Sequence, residues 1–362
     1  AMDEVVVVGY ATVKRRDVVG SVSSVSSEAL AQMPVASVSE AMSGRMAGVQ
    51  VTSTEGDPDA DIKIRVRGTG SITQDSSPLY IVDGFPVESI SDIPASDIQS
   101  IDVLKDAFST AIYGSRGANG VIIVTTKSGT SDRITVNYNL YYGFKNMANK
   151  NALVPQNTYD FVRTQYEYAM LKGNLSSYYE SNYGLWEDMD VYAGMPGNDW
   201  VDQVFGREGR VFDHNISVAG GGEKFSWTAG YTHHDEKAIM IGSDYKRNNL
   251  SFKGQFKPNK RVSLDFNIRY SDVEVTGSGA NGLNDRGSQS GNSRLKNAIV
   301  YSPIPRNAAI VDEDNPDDYN NYVHPVQAVW DNDSRYTRTT WNANAAFQWE
   351  IVDNLRLRVE AG

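Results

Sequence analysis

Two hydrophobic patterns divide this chain. From about Arg133 onward, apolar and polar residues alternate with a period of two. Ile134, Val136, Tyr138, Leu140 and Tyr142 share one face; Thr135, Asn137, Asn139 and Tyr141 share the other. The same alternation recurs in 212–218, 225–232, 250–256, 262–271, 341–350 and 355–360. Strict alternation marks a β-strand with one greasy and one wet face, so these segments predict about seven amphipathic strands. Their wet faces carry amides and full charges, among them Asp213, Lys253, Asp265, Arg269, Glu350 and Glu360. Such faces want water, not the core of a sandwich.

Before Lys127 the apolar residues come in short blocks. Residues 49–52, 62–66 and 79–82 read as strands. Ser37 with Glu40 fits a capping box that opens a short helix through Met46, ended by Gly48. Asp83-Gly84 is a hairpin signal, because both residues tolerate positive φ. Pro94 marks a helix start or a turn. Ile98, Ile101, Val103 and Leu104 predict a strand, and Asp106 can cap a short helix carrying Ala107, Ala111 and Ile112. Gly114 closes that helix, and Gly117 and Gly120 turn the chain into Val121-Ile122-Ile123-Val124. This last run does not alternate, so both its faces are expected to be buried. Residues 18–127 therefore predict one small α+β domain.

The connections beyond it alternate in length. Residues 220–223, 258–260 and 352–354 are tight turns; about 145–210 and 272–338 are long, and 237–245 is shorter. Short turns on one side and long loops on the other predict a transmembrane β-barrel. In a soluble sandwich, loops above roughly 15 residues are uncommon. Counting forward from Arg133, every tight turn falls on the side where the chain leaves the small domain.

Four segments resemble a known family, and they come in its order over roughly the first third of the chain. DEVVVVGYATVKR (3–15) is similar to the TonB-interacting stretch of TonB-dependent outer-membrane transporters of the SusC/RagA type. IRVRGTGS (64–71), PLYIVDGFPV (78–87) and LKDAFSTAIYGSRGANGVIIVTTK (104–127) look like parts of that family's plug domain. The resemblance implies a TonB-interacting segment at 1–17, a plug at 18–127 and the N-terminal part of an outer-membrane barrel at 128–362. Plugged lumens belong to barrels of about 22 strands, which seven strands cannot close. Read with the family, Asp3, Glu4, Val5, Val6, Val7, Val8, Gly9 and Tyr10 bind TonB by strand addition. Without it, four consecutive valines read more simply as an edge strand.

Composition narrows the rest. The chain has 362 residues, no cysteine and a net charge of −11. Disulfides and thiolate chemistry are excluded, and an acidic surface disfavours nucleic acid. No apolar run reaches the roughly 20 residues of a transmembrane helix. A mean hydropathy of −0.43 suits a barrel, whose alternation keeps the average low. No signal peptide opens the chain, and Ala1-Met2 reads as a processing boundary. LRLRVEAG stops in mid-pattern, as expected of a longer chain that has been cut. The small domain that usually precedes the TonB-interacting stretch in this family has no counterpart in these residues.

No catalytic constellation stands out, and no cofactor is expected. His233 and His234 point to opposite faces of one strand, so they cannot jointly chelate a metal. Asp312, Asp314 and Asp317 lie in an acidic loop that could hold Ca²⁺, but it lacks the glycine and terminal glutamate of an EF-hand; a solvated loop is the default. Asp188 and Asp190 are too commonplace a pair in an acidic chain to argue for glycoside hydrolysis. Arg65, Arg67 and Arg116 lie in glycine-flanked segments. Some of them are expected to hold the plug by pairing with wall carboxylates, among them Asp213, Asp265, Glu350 and Glu360.

By resemblance the expected function is TonB-driven import of a large nutrient, an oligosaccharide first, with peptide open. TonB, a SusD-like surface lipoprotein and outer-membrane lipid are the implied partners, and no bond in the ligand is changed. The alternative is a soluble secreted β-rich glycan-binding or adhesin module. It explains the tyrosine-rich strands but not the alternating connections.

Overall fold

The computed structural model describes residues 5–8, 11–14, 22–27, 38–53, 59, 62–66, 68, 76–106, 110–129, 133–148, 154–277, 294–304, 324–331, 334–353 and 355–362. At the start, Val5–Val8 (β1) and Ala11–Lys14 (β2) pair as an antiparallel hairpin.

The N-terminal domain is organised around one strand. Val121–Thr126 (β9) is the middle of a five-stranded sheet of order β3-β8-β9-β6-β7. Its neighbours are β3 (Val22–Ser26), β6 (Leu79–Val82), β7 (Phe85–Val87) and β8 (Ile98–Leu104). β9 pairs antiparallel with β8 and parallel with β6. A strand covered on both faces can be apolar at every position, and Val121, Ile122, Ile123 and Val124 are each at most 1% exposed. Ile122 and Val124 pack beneath helix α1 (Val38–Met42) and the ribbon of β4 (Val49–Ser53) with β5 (Ile62–Val66). Val121 and Ile123 pack with Ile81 and Leu104 on the other face. Each such burial stabilises by about 1.5–3 kcal/mol.

Glycines set the turns. Asp83 (φ 49°) and Gly84 (φ 92°) form the β6–β7 hairpin expected from their sequence. α1 stops at Met42 rather than Met46, because Gly44 (φ 70°) takes the chain out of the helix. Residues 107–109 lie outside the described residues. Ala111–Gly117 forms tight 3₁₀ turns broken at Gly114 (φ 60°, ψ −147°), not the single α-helix expected.

Beyond the linker the chain forms one antiparallel meander of seven strands among the described residues. These are β10 (Thr135–Lys145), β11 (Gly209–Gly221), β12 (Phe225–Lys237), β13 (Asp244–Asn259), β14 (Val262–Thr276), β15 (Arg335–Val352) and β16 (Leu355–Ala361). Tight turns join β11–β12, β13–β14 and β15–β16. The longest connections carry helices: α2 (Thr158–Lys172) and α3 (Trp200–Phe205) after β10, α4 (Arg294–Val300) and α5 (Pro325–Trp330) after β14. Trp200 Nε1 donates to the Ser302 carbonyl at 2.8 Å, tying the two connections into one cap.

The wall is inside out relative to a soluble sheet. Ile134 is 73% exposed, and Leu264 and Phe347 are each 39% exposed. Asn215, Thr232, Asn249 and Asn267, on the opposite face, are buried. A sheet that buries its amides and shows its aliphatics is built for hydrocarbon outside. Tyr231, Leu250, Tyr270 and Trp341 pair across the strands as one outward row, with the Tyr270 and Trp341 rings 4.5 Å apart. Toward the cap, strands outlast the alternation: β14 reaches Thr276 and β15 begins at Arg335. There the outward positions become Asp272, Glu274 and Arg335, so backbone pairing continues where the greasy face has ended.

Candidate functional site at the domain–wall seam

Three clusters join the N-terminal domain to the wall. The β6–β7 turn presents Asp83. Its Oδ1 accepts from Lys253 Nζ (3.0 Å) and from the Thr126 N–H (3.0 Å). Its Oδ2 accepts from Asn267 Nδ2 (2.6 Å) and Thr126 Oγ1 (2.7 Å), with Arg269 Nη1 at 4.0 Å. Burial pushes this carboxyl up. Lys253, the Thr126 N–H and Arg269 outweigh it and hold Asp83 below its ordinary value of 3.8.

Asp97 ends the 3₁₀ turn Ala95–Asp97, which starts after Pro94. It accepts from Asn215 Nδ2 (3.2 Å) and Ser251 Oγ (3.3 Å). The wall is thinned opposite it at Gly230, where an added Cβ would sit 2.7 Å from Ser251 Oγ. Here burial dominates over the two hydrogen bonds and pushes the Asp97 carboxyl up.

The third cluster lies nearer the cap. Arg338 of β15 donates to both oxygens of Asp92 (Nη2 2.9 Å, Nε 3.3 Å) and to both of Asp59 (Nη2 3.1 Å, Nη1 3.3 Å). Tyr336 Oη also donates to Asp59. Beside it, Arg247 Nη1 donates to the Ser91 carbonyl (3.0 Å) and Asn249 Nδ2 to the Asp92 carbonyl (2.7 Å). A cavity of about 740 Å³ runs between domain and wall, with all three clusters along its lining.

The pairing expected from the sequence has the opposite polarity. The domain supplies the carboxylates and the wall supplies the cations. Arg65 is half-buried and Arg116 exposed, and among the described residues neither makes an ion pair with a wall carboxylate. Arg67 lies outside the described residues. The wall carboxylates turn to neighbours within the wall instead: Asp213 to His234 (3.0 Å), Asp265 to Gln255 (2.5 Å), Glu350 to Arg356 (4.0 Å) and Glu360 to Arg358. Cross-strand neighbours on one face have Cβ atoms about 5 Å apart, so a wall carboxylate finds a partner within the sheet itself.

Of the expected TonB-binding residues, Val5, Val6, Val7 and Val8 form β1; Asp3, Glu4, Gly9 and Tyr10 lie outside the described residues. So do Asp312, Asp314 and Asp317. Among the described residues no group of three or more His, Asp or Glu is placed to hold a metal. His234 is buried on the inner face while His233 bonds Asn248 Oδ1 (2.8 Å), on opposite faces as expected. Asp188 and Asp190 are exposed. Asp83 had a sequence signal only as a turn residue. Lys253 and Arg269 carry a sequence signal only as charges on the wet faces of their strands. Arg338 had none, since β15 begins before its alternation does.

A family model for the TonB-dependent Receptor Plug Domain matches residues 14–121. TonB-dependent receptor P26 of Formosa agariphila is 34% identical over 337 residues, which cover 91% of this chain and 31% of the relative. TonB-dependent receptor SusC of Bacteroides thetaiotaomicron is 33% identical over 260 residues, 68% of this chain and 24% of that protein. The RagAB peptide importer in its 'open-open' state superposes with a TM-score of 0.76 at 27% identity, over 99% of this chain and 42% of that one. The chain thus spans about a third of the length of the curated relatives it matches. A plug domain, an antiparallel wall greasy on its outer side, and these relatives converge: the chain belongs to the SusC/RagA family of TonB-dependent receptors of the outer membrane.

Proposed function

We propose that this chain forms the plug and part of the wall of an importer that carries a large nutrient, an oligosaccharide, across the outer membrane with energy delivered by TonB. One observation carries the reading: a folded domain is seated against a lipid-facing wall through polar clusters rather than a dry interface. Such a seam blocks a lumen at rest and can be rearranged by a pull. The segment at 3–10 is where TonB takes hold, adding its own strand to the valines. Ligand engaged on the cap side releases that segment to the periplasm.

A SusD-like lipoprotein is the partner at the surface. The cap supports this, since Met170, Leu171, Leu185 and Trp186 stand exposed on it. A peptide ligand is the second reading, favoured by the similarity to the RagAB peptide importer. Deleting residues 3–10 from the receptor should abolish uptake in cells and leave ligand binding to isolated membranes intact. Retained uptake would overturn the mechanism. Growth on oligosaccharide against peptide as sole carbon source separates the two ligand classes.

A further inference from the structure

The geometry points to Arg338 as a latch across the cap-side part of a preformed polar cleft, the first section of the path between plug and wall. This rests on the importer reading. One guanidinium holds both oxygens of Asp59 and both oxygens of Asp92. Those carboxylates come from two separate plug segments, the connection between β4 and β5 and the stretch between β7 and the 3₁₀ turn. No other plug-facing wall side chain with described contacts ties two plug carboxylates together. A planar fork can do this and an ammonium cannot, because two bidentate contacts need fixed, divergent donors.

The position matters as much as the contacts. Arg338 is the fourth residue of β15, on the cap side, and it pairs across the sheet with Val273, which pairs with Arg247. Asn267, which holds Asp83, pairs with Asn344, six residues further along β15. At about 3.3 Å per residue that is roughly 20 Å along the strand. The 740 Å³ cavity spans this interval. Thr228 Oγ1, Asn249 Oδ1 and Ser271 Oγ all line it, are buried, and have no hydrogen-bond partner within the protein. Buried polar atoms left unpaired are costly, so these side chains gain by turning a few tenths of an ångström toward water or a ligand's polar groups in the cleft. The cleft is thus suited to a hydroxyl- or amide-rich chain.

The side chains along the cleft differ in accessibility. Lys253 and Asp83 are 24% and 7% exposed at the side chain and Arg247 in the row of Arg338 is buried, whereas Arg338 itself is 39% exposed. A ligand arriving from the cap side passes Lys145, Glu236 and Tyr245, which also line the cleft, and then meets Arg338. Competing for Asp59 or Asp92 frees one plug segment and opens the cleft, while the Asp83 cluster keeps the plug seated.

The test uses thiol labelling of the receptor in its own outer membrane. Ser271→Cys places one thiol in the cleft, and the parent receptor without it serves as blank. A membrane-impermeant maleimide added from outside should react slowly with Ser271→Cys alone. Adding Arg338→Ala should speed labelling at least tenfold, and Asp59→Asn, a milder change that keeps the fold if Arg338→Ala does not, several-fold. Arg338→Lys should fall between. Unchanged or slower labelling in a correctly inserted Asp59→Asn or Arg338→Ala receptor overturns the latch. Labelling needs neither TonB nor a nutrient. A receptor that still imports through TonB but labels no faster would sink the latch and leave the importer reading standing.

Discussion

The plug's core and its seam with the wall are built from opposite materials. Around Val121–Val124 the packing is aliphatic: apolar side chains from both faces close on β9. At the seam, within the same domain, the contacts are Asp83, Asp97, Asp59 and Asp92 against lysine, arginine and amides. A buried aliphatic side chain stabilises by about 1.5–3 kcal/mol and nothing replaces it. A hydrogen bond to a charged group contributes about 1.5–3 kcal/mol net. The two core clusters, however, hold many more buried side chains than the seam has such bonds, and at the seam water can take either partner's place. The plug therefore holds together as a body more firmly than it holds to its surroundings. That ordering is what a stopper needs if it must seal and also yield.

The comparison can be broken at either side. Ile123→Asp puts an unpaired carboxylate into the dry core and should cost about 4 kcal/mol or more, enough to unfold the plug. The wall, which shares none of that core, should still insert. Outer membranes carrying the variant are expected to admit a large hydrophilic antibiotic, and limited proteolysis should cut within the plug. A plug that stays protease-resistant would mean that the wall, not the core, holds it folded.

Asp83→Asn tests the seam. Asparagine tolerates the positive φ of this turn, so the hairpin survives. Lys253 loses its partner charge, a penalty on the order of 3 kcal/mol in a buried site. Docking should weaken while the plug keeps its fold, read as faster thiol labelling at the inner end of the seam without new proteolytic cuts in the plug. Loss of the fold as well would erase the distinction between core and seam.

The smallest effect is on pH. Asp97 sits above its ordinary value in the docked plug, so protonation favours docking: the seam tightens as pH falls through that raised value and levels off near 3.8. Asp83 has the opposite sign. Its contribution is full above 3.8 and is lost as pH falls through its lowered value. Mild acid should slow plug release and strong acid should speed it, measured as labelling rate against pH. Asp97→Asn should remove the tightening limb alone.

The two regions were not equally legible in the sequence. Val121-Ile122-Ile123-Val124 announces a doubly covered strand because an unbroken apolar run has no other stable place. Asp83-Gly84 announces its hairpin through the backbone alone. The wall's strands and short turns follow from period-two alternation, which is local. The seam resisted such reading. Charge complementarity between plug and wall was visible, but its polarity was not. Arg65 and Arg116 looked suited to the role, yet Asp213, Asp265 and Glu350 were already satisfied by cross-strand neighbours.

What the sequence determined by itself is whatever depends on neighbours along the chain: strand faces, turn positions, the buried run and the family's ordered motifs. Which plug carboxylate meets which wall cation was decided only in three dimensions. Asp83 and Asn267 are 184 residues apart, and Arg338 and Asp59 279. Periodicity fixes which face a side chain is on, but only the docking of one body against another fixes what stands opposite it.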